Sequence, residues 1–209
     1  MRQIRVHGRG HVVAEPDIVT ISFDVEVNVY DYEECLRTLN MRVEDLRQSI
    51  TAAGLERAQL KTSGFNVHVN SKYKDGKSIF AGYSASHRMH IELPVDKELL
   101  NRVLRNVAGG LSGAEINLSF SVRDKESLRK KVLANAVQKA KENAGTLASA
   151  AGVKLGKLIQ IDYGRAEVHI YEREASMVSK SLSTPDYDVD IEPDDVSAGD
   201  SVTLVYEID

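Results

Sequence analysis

Val19-Thr20-Ile21-Ser22-Phe23-Asp24-Val25-Glu26-Val27-Asn28-Val29 alternates without a break between apolar and polar side chains. Successive side chains of an extended chain point to opposite faces, so period two predicts a strand with one dry and one wet face. Sheets of that kind are antiparallel and packed on one side only. At Asp31 the period changes. Asp31 and Glu34 have capping-box spacing, with Asp in place of the usual Ser or Thr. Leu36, Leu39, Val43, Leu46 and Ile50 follow at steps of three and four, which is one helical stripe. Gly54 closes it, as glycine does in the left-handed position after a helix. A one-sided strand followed by a one-sided helix predicts an α+β fold, an antiparallel sheet with helices packed on one face.

Working outward, residues 2–13 read as a first strand interrupted by Gly8-Arg9-Gly10, ended by Pro16, with Asp17 beginning the next. Downstream comes a hairpin. Phe65, Val67 and Val69 alternate, Lys74-Asp75-Gly76-Lys77 supplies a tight turn, and Tyr83, Ala85, His87, Met89, Ile91 and Leu93 share one face of the return strand. Pro94 ends that strand. A short helix capped by Asp96 carries Leu99, Leu100, Val103, Leu104 and Val107, and closes at Gly109-Gly110. Ile116, Leu118, Phe120 and Val122 alternate as another strand. Asp124 then opens a long helix with Leu128, Val132, Ala136, Ala140, Ala144, Leu147 and Ala151 on one stripe, closed by Gly152. A strand near 155–163 and a last one through Val202, Leu204, Tyr206 and Ile208 complete the pattern.

The two halves read alike. Thr20-Ile21-Ser22-Phe23-Asp24-Val25 resembles Asn117-Leu118-Ser119-Phe120-Ser121-Val122, and Ala52-Ala53-Gly54-Leu55 resembles Ala150-Ala151-Gly152-Val153, at offsets of 97 and 98 residues. We read a single domain, 1–209, containing duplicated β-α-β-β units at about 17–93 and 114–208 joined by the short helix. The halves differ at the connection 165–198. A loop this long in a compact domain is usually functional or disordered. Its start, 166–171, alternates up to Tyr171. Near its end, Tyr187, Val189 and Ile191 alternate with Asp186, Asp188, Asp190 and Glu192, so the segment is a candidate strand for a neighbouring chain.

Composition narrows the function classes. The net charge is −4 with acids and bases mixed along most of the chain, which argues against nucleic acid as a partner and against a polybasic membrane anchor. Cys35 is the only cysteine, so no internal disulfide and no multi-thiolate zinc site can form. Its place in a helix suits a small buried residue. There is no transmembrane run. Met1-Arg2-Gln3-Ile4 leads straight into structured sequence without a leader, so a cytoplasmic location is expected, or a periplasmic or cell-surface one if a leader has been removed.

No catalytic constellation stands out. Gly8 and Gly10 lack the third glycine of a dinucleotide loop, and mark a bulge or a close backbone crossing within a strand. His7 and His11 would stand about 13 Å apart on one strand, too far to chelate one metal. His87 and His90 fall on opposite faces, which leaves convergence on His68 of the paired strand as the remaining metal geometry to weigh. Solvated strand-face histidines are the plainer reading. Asp24 and Glu26 lie on a wet sheet face, which gives no reason for their acidities to diverge as an acid/base pair requires. Asp17 beside Pro16 suits a turn or cap. The expectation is therefore no enzyme, no metal and no cofactor.

Several segments together resemble the SIMPL-domain family: Gly8-x-Gly10-x-Val12-x-Ala14-x-Pro16-Asp17, Gly82-Tyr83-x-Ala85-Ser86, the long helix from Ala136 to its exit at Gly152, and Ile191-Glu192-Pro193 before the last strand. The resemblance implies a bacterial protein related to periplasmic or outer-membrane-associated antigens linked to oxidative stress, some of which assemble into rings. An animal relative is named for association with a signalling kinase. No catalytic residues come with it, so Gly8, Gly10, Pro16, Asp17, Gly82, Tyr83, Gly152 and Pro193 are read as structural. The function expected is a non-enzymatic, homo-oligomeric assembly or scaffold protein, with Tyr171, Tyr187, Val189 and Ile191 as its interaction segment. The alternative is a small-molecule or partner-binding module with a pocket under 165–198, lined by Tyr83, Tyr163 and Tyr171.

Overall fold

A computed structural model describes residues 2–74, 76–164, 169–171, 173–178 and 190–209. It is an α+β protein, as the alternation of periods predicts, and its strands form two antiparallel sheets. The chain divides into two compact units. A terminal unit holds Met1–Pro16, Val122–Arg173 and Asp194–Asp209, and a central unit holds Asp17–Ser121 and Glu174–Pro193. These boundaries cut across the second of the two sequence repeats.

In the central unit the strict alternation of residues 19–29 becomes β2 (Ile18–Val29). It lies between β4 (Lys77–Pro94), paired from Ile18↔Pro94 to Val29↔Tyr83, and β5 (Glu115–Ser121), paired from Ile18↔Ser121 to Asp24↔Glu115. With β3 (Lys61–Lys74) and β8 (Arg173–Val178) at its edges, the sheet runs β3-β4-β2-β5-β8. Val19, Ile21, Phe23, Val25 and Val27 are buried in the same cluster as Leu39, Val43, Leu46 and Ile50 of α1 (Tyr32–Ala52) and Val103, Leu104 and Val107 of α2 (Lys97–Gly109). Both helices start where the caps were read. Asp31 accepts from the Glu34 amide at 2.9 Å, and Asp96 accepts from those of Glu98 and Leu99 at 2.9 and 3.1 Å. Each such cap satisfies helix-end donors that would otherwise lack a partner. Cys35 is buried, its thiol facing the carbonyls of Val27 and Tyr83.

In the terminal unit the order is β1 (Gln3–Ala14), β9 (Val196–Ile208), β6 (Leu155–Asp162), with β7 (His169–Tyr171) also paired to β9. Helix α3 (Lys125–Ala150) packs over β1 and β9. Its buried stripe is Leu128, Val132, Ala136, Ala140, Ala144 and Ala148, an unbroken step of four. The stripe was expected to turn to Leu147 and Ala151. Instead Ala148 is buried and Leu147 is 50% exposed.

The glycine pair explains why so small a stripe suffices. β1 and β9 stay in register from Gln3↔Glu207 to Ala14↔Val196, so no bulge interrupts the strand at Gly8 or Gly10. A Cβ at Gly8 would sit 2.0 Å from the Ala136 carbonyl oxygen, and one at Gly10 equally close to that of Val132. The close approach is therefore to the backbone of α3, not a crossing within the strand. Asn143 and Asn135 of that helix donate to the carbonyls of His7 and His11, at 2.9 and 3.0 Å.

Candidate functional site

The most distinctive surface grows from the Gly82-Tyr83 motif. β2 stops pairing at Val29↔Tyr83, but the β3–β4 hairpin continues to Lys74↔Lys77, so its outer part is a two-stranded ribbon beyond the sheet. The register moves from Asn70↔Gly82 to Ser71↔Phe80, which leaves Ala81 as an extra, bulged residue. Gly82 takes φ +101°, and a Cβ there would lie 2.7 Å from the Val29 carbonyl oxygen. Both the backbone angle and the close approach call for glycine.

The bulge has a consequence for the side chains. In a regular strand residues 80 and 83 point to opposite faces. One extra residue shifts the phase and puts Phe80 and Tyr83 on the same face, ring centroids 5.3 Å apart. Tyr30, just past β2, meets Phe80 at 5.1 Å, and Tyr32, opening α1, meets Tyr83 at 5.3 Å. All three contacts are edge-to-face, the arrangement ring quadrupoles favour. Phe65 opposite His87 and Val69 opposite Tyr83 inside the sheet, and Tyr73 opposite Ser78 in the ribbon, continue this face along the hairpin. Tyr30 is 70% exposed, and Tyr32, Phe65, Val69, Tyr73 and Phe80 are exposed as well. The sequence reading missed this cluster. Tyr30-x-Tyr32 at a strand–helix junction and Phe80-x-Gly82-Tyr83 were its visible traces.

The opposite face of the same strands is polar and cross-linked. Asp24 takes the Arg88 guanidinium at 2.8 Å, and this hydrogen bond raises the Arg88 pKa further. Glu26 Oε1 accepts from Asn28 and Ser84, both at 3.1 Å, and Asn70 donates to Asn28 Oδ1 at the same distance. Such a network holds side chains in place rather than presenting a proton to a substrate. The other oxygen of Asp24, Oδ1, is buried without a hydrogen-bond partner among the described residues.

Among the described residues the histidine side chains do not converge on one point. His68 pairs with Ser84 on the polar face. His87 lies on the other face, against the Phe65 ring and 2.9 Å from the Thr62 hydroxyl. Burial, then the neighbouring Arg47 charge, lowers the His87 pKa. His7 bonds to Thr203 in the terminal unit. Among the described residues no group of three or more His, Cys, Asp or Glu is placed to hold a metal.

The other residues singled out from sequence sit as follows. Gly8 and Gly10 face α3, as above. After Pro16, the Asp17 amide donates to Ser121 and its carbonyl accepts from Val95, joining the start of β2 to both neighbours. Gly152 takes φ +68° just after α3, with the Val153 amide returning to the Ala148 carbonyl. Ile191 packs against the core of the central unit, and Lys97 holds Asp190 and Glu192 on either side at 3.2 and 3.3 Å. Residues 190–195, with Pro193, form no strand. Tyr187 and Val189 lie outside the described residues, as does the side chain of Tyr171, whose backbone pairs with Ser197. Tyr83 belongs to the ring cluster. Tyr163 donates to Asp200 at 2.9 Å, a bond that raises its pKa.

The sequence profile of the SIMPL family, described as a protein of unknown function (DUF541), matches residues 4–206. The chain belongs to the SIMPL family. It is similar to the 26 kDa periplasmic immunogenic protein of Brucella melitensis, 29% identical over 221 aligned positions that cover 99% of this chain and 84% of the relative. It is also similar to YggE, an uncharacterized protein of Escherichia coli, 25% identical over 159 positions, 75% of this chain and 63% of that one. YggE of Edwardsiella ictaluri gives 26% over 162 positions, 75% and 65% of the two chains. None of these SIMPL relatives bears an enzyme's name. The cytoplasmic location expected above does not stand. The relative that aligns with almost the whole chain is a periplasmic protein, and the opening residues are no guide to compartment. Among the described residues no helix is long and apolar enough to cross a membrane.

Proposed function

We propose that this SIMPL protein is a non-enzymatic assembly or scaffold protein that works as a homo-oligomer in the periplasm. The observation that supports it is the exposed aromatic face of the β3–β4 hairpin, whose phase is set by a bulge and a glycine. Burying one large apolar side chain is worth about 1.5–3 kcal/mol, so a ring cluster left in water is a strong drive to association. The polar network on the reverse face supports a structural rather than a chemical role. The periplasmic name of the Brucella relative supports the compartment.

The test is absolute mass by light scattering after size exclusion at several concentrations. The reading expects a discrete species that is a multiple of 23.1 kDa and persists on dilution. Tyr30→Ser combined with Phe80→Ser should lower that mass with helix and strand content unchanged. A protein of 23.1 kDa at every concentration overturns the reading.

A further inference from the structure

The terminal sheet has two treatments of its edges. On β1, α3 covers the inner face and its Asn135 and Asn143 satisfy carbonyls of His11 and His7. β6 is handled differently. It pairs with β9 on one side, and among the described residues no strand pairs with its other side. Leu158 and Ile161 stand opposite Tyr206 and Leu204, which are buried against α3, yet they are 42% and 56% exposed. Among the described residues the helix lies mainly over β1 and β9 and leaves most of β6 uncovered. Leu155, Ile159 and the adjoining Tyr163 are exposed too. An uncovered apolar edge strand is a template for another strand, and folded proteins ordinarily blunt it.

We infer that β6 is a two-fold pairing edge, to which a second copy of this chain adds its own β6 in antiparallel register. The inference rests on the assembly reading above and deepens it. Charge selects the occupant. The only charged residues of Leu155–Asp162 are Lys157 and Asp162, near opposite ends of the strand. Antiparallel pairing about a two-fold axis between Ile159 and Gln160 sets each Lys157 opposite Asp162 of the copy and each Leu158 opposite Ile161. Parallel pairing would stack Lys on Lys and Asp on Asp. The two apolar pairs then lie on the α3 side of the sheet and the two ion pairs on the reverse side, each repeated by the two-fold axis as an isologous contact requires. Asp162 has its Oδ2 in a long pair with Arg5 at 3.8 Å and its Oδ1 accepting from the Gln160 side chain, and each oxygen keeps a further lone pair for a second cation. Two bulges in β6 shorten the new ladder, so these side chains carry the register.

The experiment uses the full chain. Light scattering of the unmodified protein comes first, followed by Ile161→Lys, Lys157→Glu, and Lys157→Glu with Asp162→Lys. The inference expects the two single variants to halve the mass of the assembly and the double exchange to restore it. Leu158→Cys and Ile161→Cys chains, mixed and oxidised, should cross-link to each other, while neither cross-links alone; Cys35 is buried and stays out of the reaction. An oligomer unchanged by both single variants, with no mixed cross-link, overturns the β6 edge and leaves the assembly reading standing. A monomeric unmodified chain overturns both.

Discussion

An alanine at position 8 would put its methyl carbon 2.0 Å from the Ala136 carbonyl oxygen, 2.5 Å from the Ala140 amide nitrogen and 2.7 Å from the Ala140 Cβ. Two of these three atoms are helix backbone, so no rotamer change relieves the clash. Reaching an ordinary contact of 3.4 Å requires α3 to lift by roughly 1.4 Å over β1. Overpacking of this kind costs about 1–3 kcal/mol. A gap of about 0.5–1 Å also forfeits a quarter to a half of each dispersion contact along the Ala136–Ala140–Ala144 stripe. An opposing effect must be subtracted. Gly8 has no left-handed φ, so alanine there restricts the unfolded chain and stabilises by about 0.4–1 kcal/mol. The net expectation for Gly8→Ala is a loss of about 1–2.5 kcal/mol.

For a chain of this length each kcal/mol moves the melting temperature by about 2–4 °C. Thermal and urea unfolding followed by circular dichroism can resolve that. Gly145→Ala is the control. It lies inside α3 with nothing within 4 Å of an added Cβ, so the helix propensity of alanine should stabilise by up to about 1 kcal/mol. Gly10→Ala should behave like Gly8→Ala, and the two losses should not add, because the same helix moves once for both. Gly8→Ala at or above wild-type stability would refute the claim that this glycine seats the helix.

Three further outcomes are expected. Asp96→Ala removes the acceptor for two amides at the start of α2 and should cost about 1 kcal/mol in urea unfolding, with Asp96→Asn recovering most of it. The lowered His87 pKa means that the folded state binds this proton less readily than the unfolded chain. The stabilisation from neutral His87 is therefore complete above the ordinary value of 6.5 and is lost as pH falls from there toward the folded value. His87→Gln should flatten that part of the stability–pH curve. Lys97→Ala should leave global stability nearly unchanged, since exposed ion pairs contribute about 0–1 kcal/mol, but should speed amide exchange at residues 190–192, which Lys97 holds against the central unit.

Elements with a strong local period were legible in the sequence. The alternation of 19–29 and the stripe from Leu39 to Ile50 recur as buried faces of β2 and α1, and the Asp caps stand where their spacing put them. What escaped was anything decided by the phase between two segments. Plain alternation would set Phe80 and Tyr83 on opposite faces, and nothing local marks Ala81 as the extra residue of a bulge. Leu147 and Ala148 are equally good candidates for the next step of α3's stripe, and the choice depends on which side of the helix meets β1. For Ile191, alternation with acids pointed outward to a neighbouring chain, whereas its side chain packs on the core of its own unit.

The glycine pair and the bare strand belong to one piece of geometry. With Gly8 and Gly10 absent, a helix carrying alanine every fourth residue would gain little from lying over β1, since side chains on both partners would hold it off. With them present, the helix backbone touches the strand, and two asparagines eight residues apart reach past it to the carbonyls of the β1 edge. A helix drawn that close to one side of a narrow sheet cannot also cover the other. Leu158 and Ile161 are left in water although their partners on β9 are buried. Enlarging the glycines should therefore act at a distance. If α3 shifts away from β1 in Gly8→Ala, the Asn143 bond to His7 is strained and the β1 edge becomes available for pairing. Strand addition would then lose its preference for β6, and the Leu158–Ile161 cross-link should fall in yield along with stability. A cross-link yield that stays constant while stability drops would separate the two effects and show that β6 is bare for some other reason.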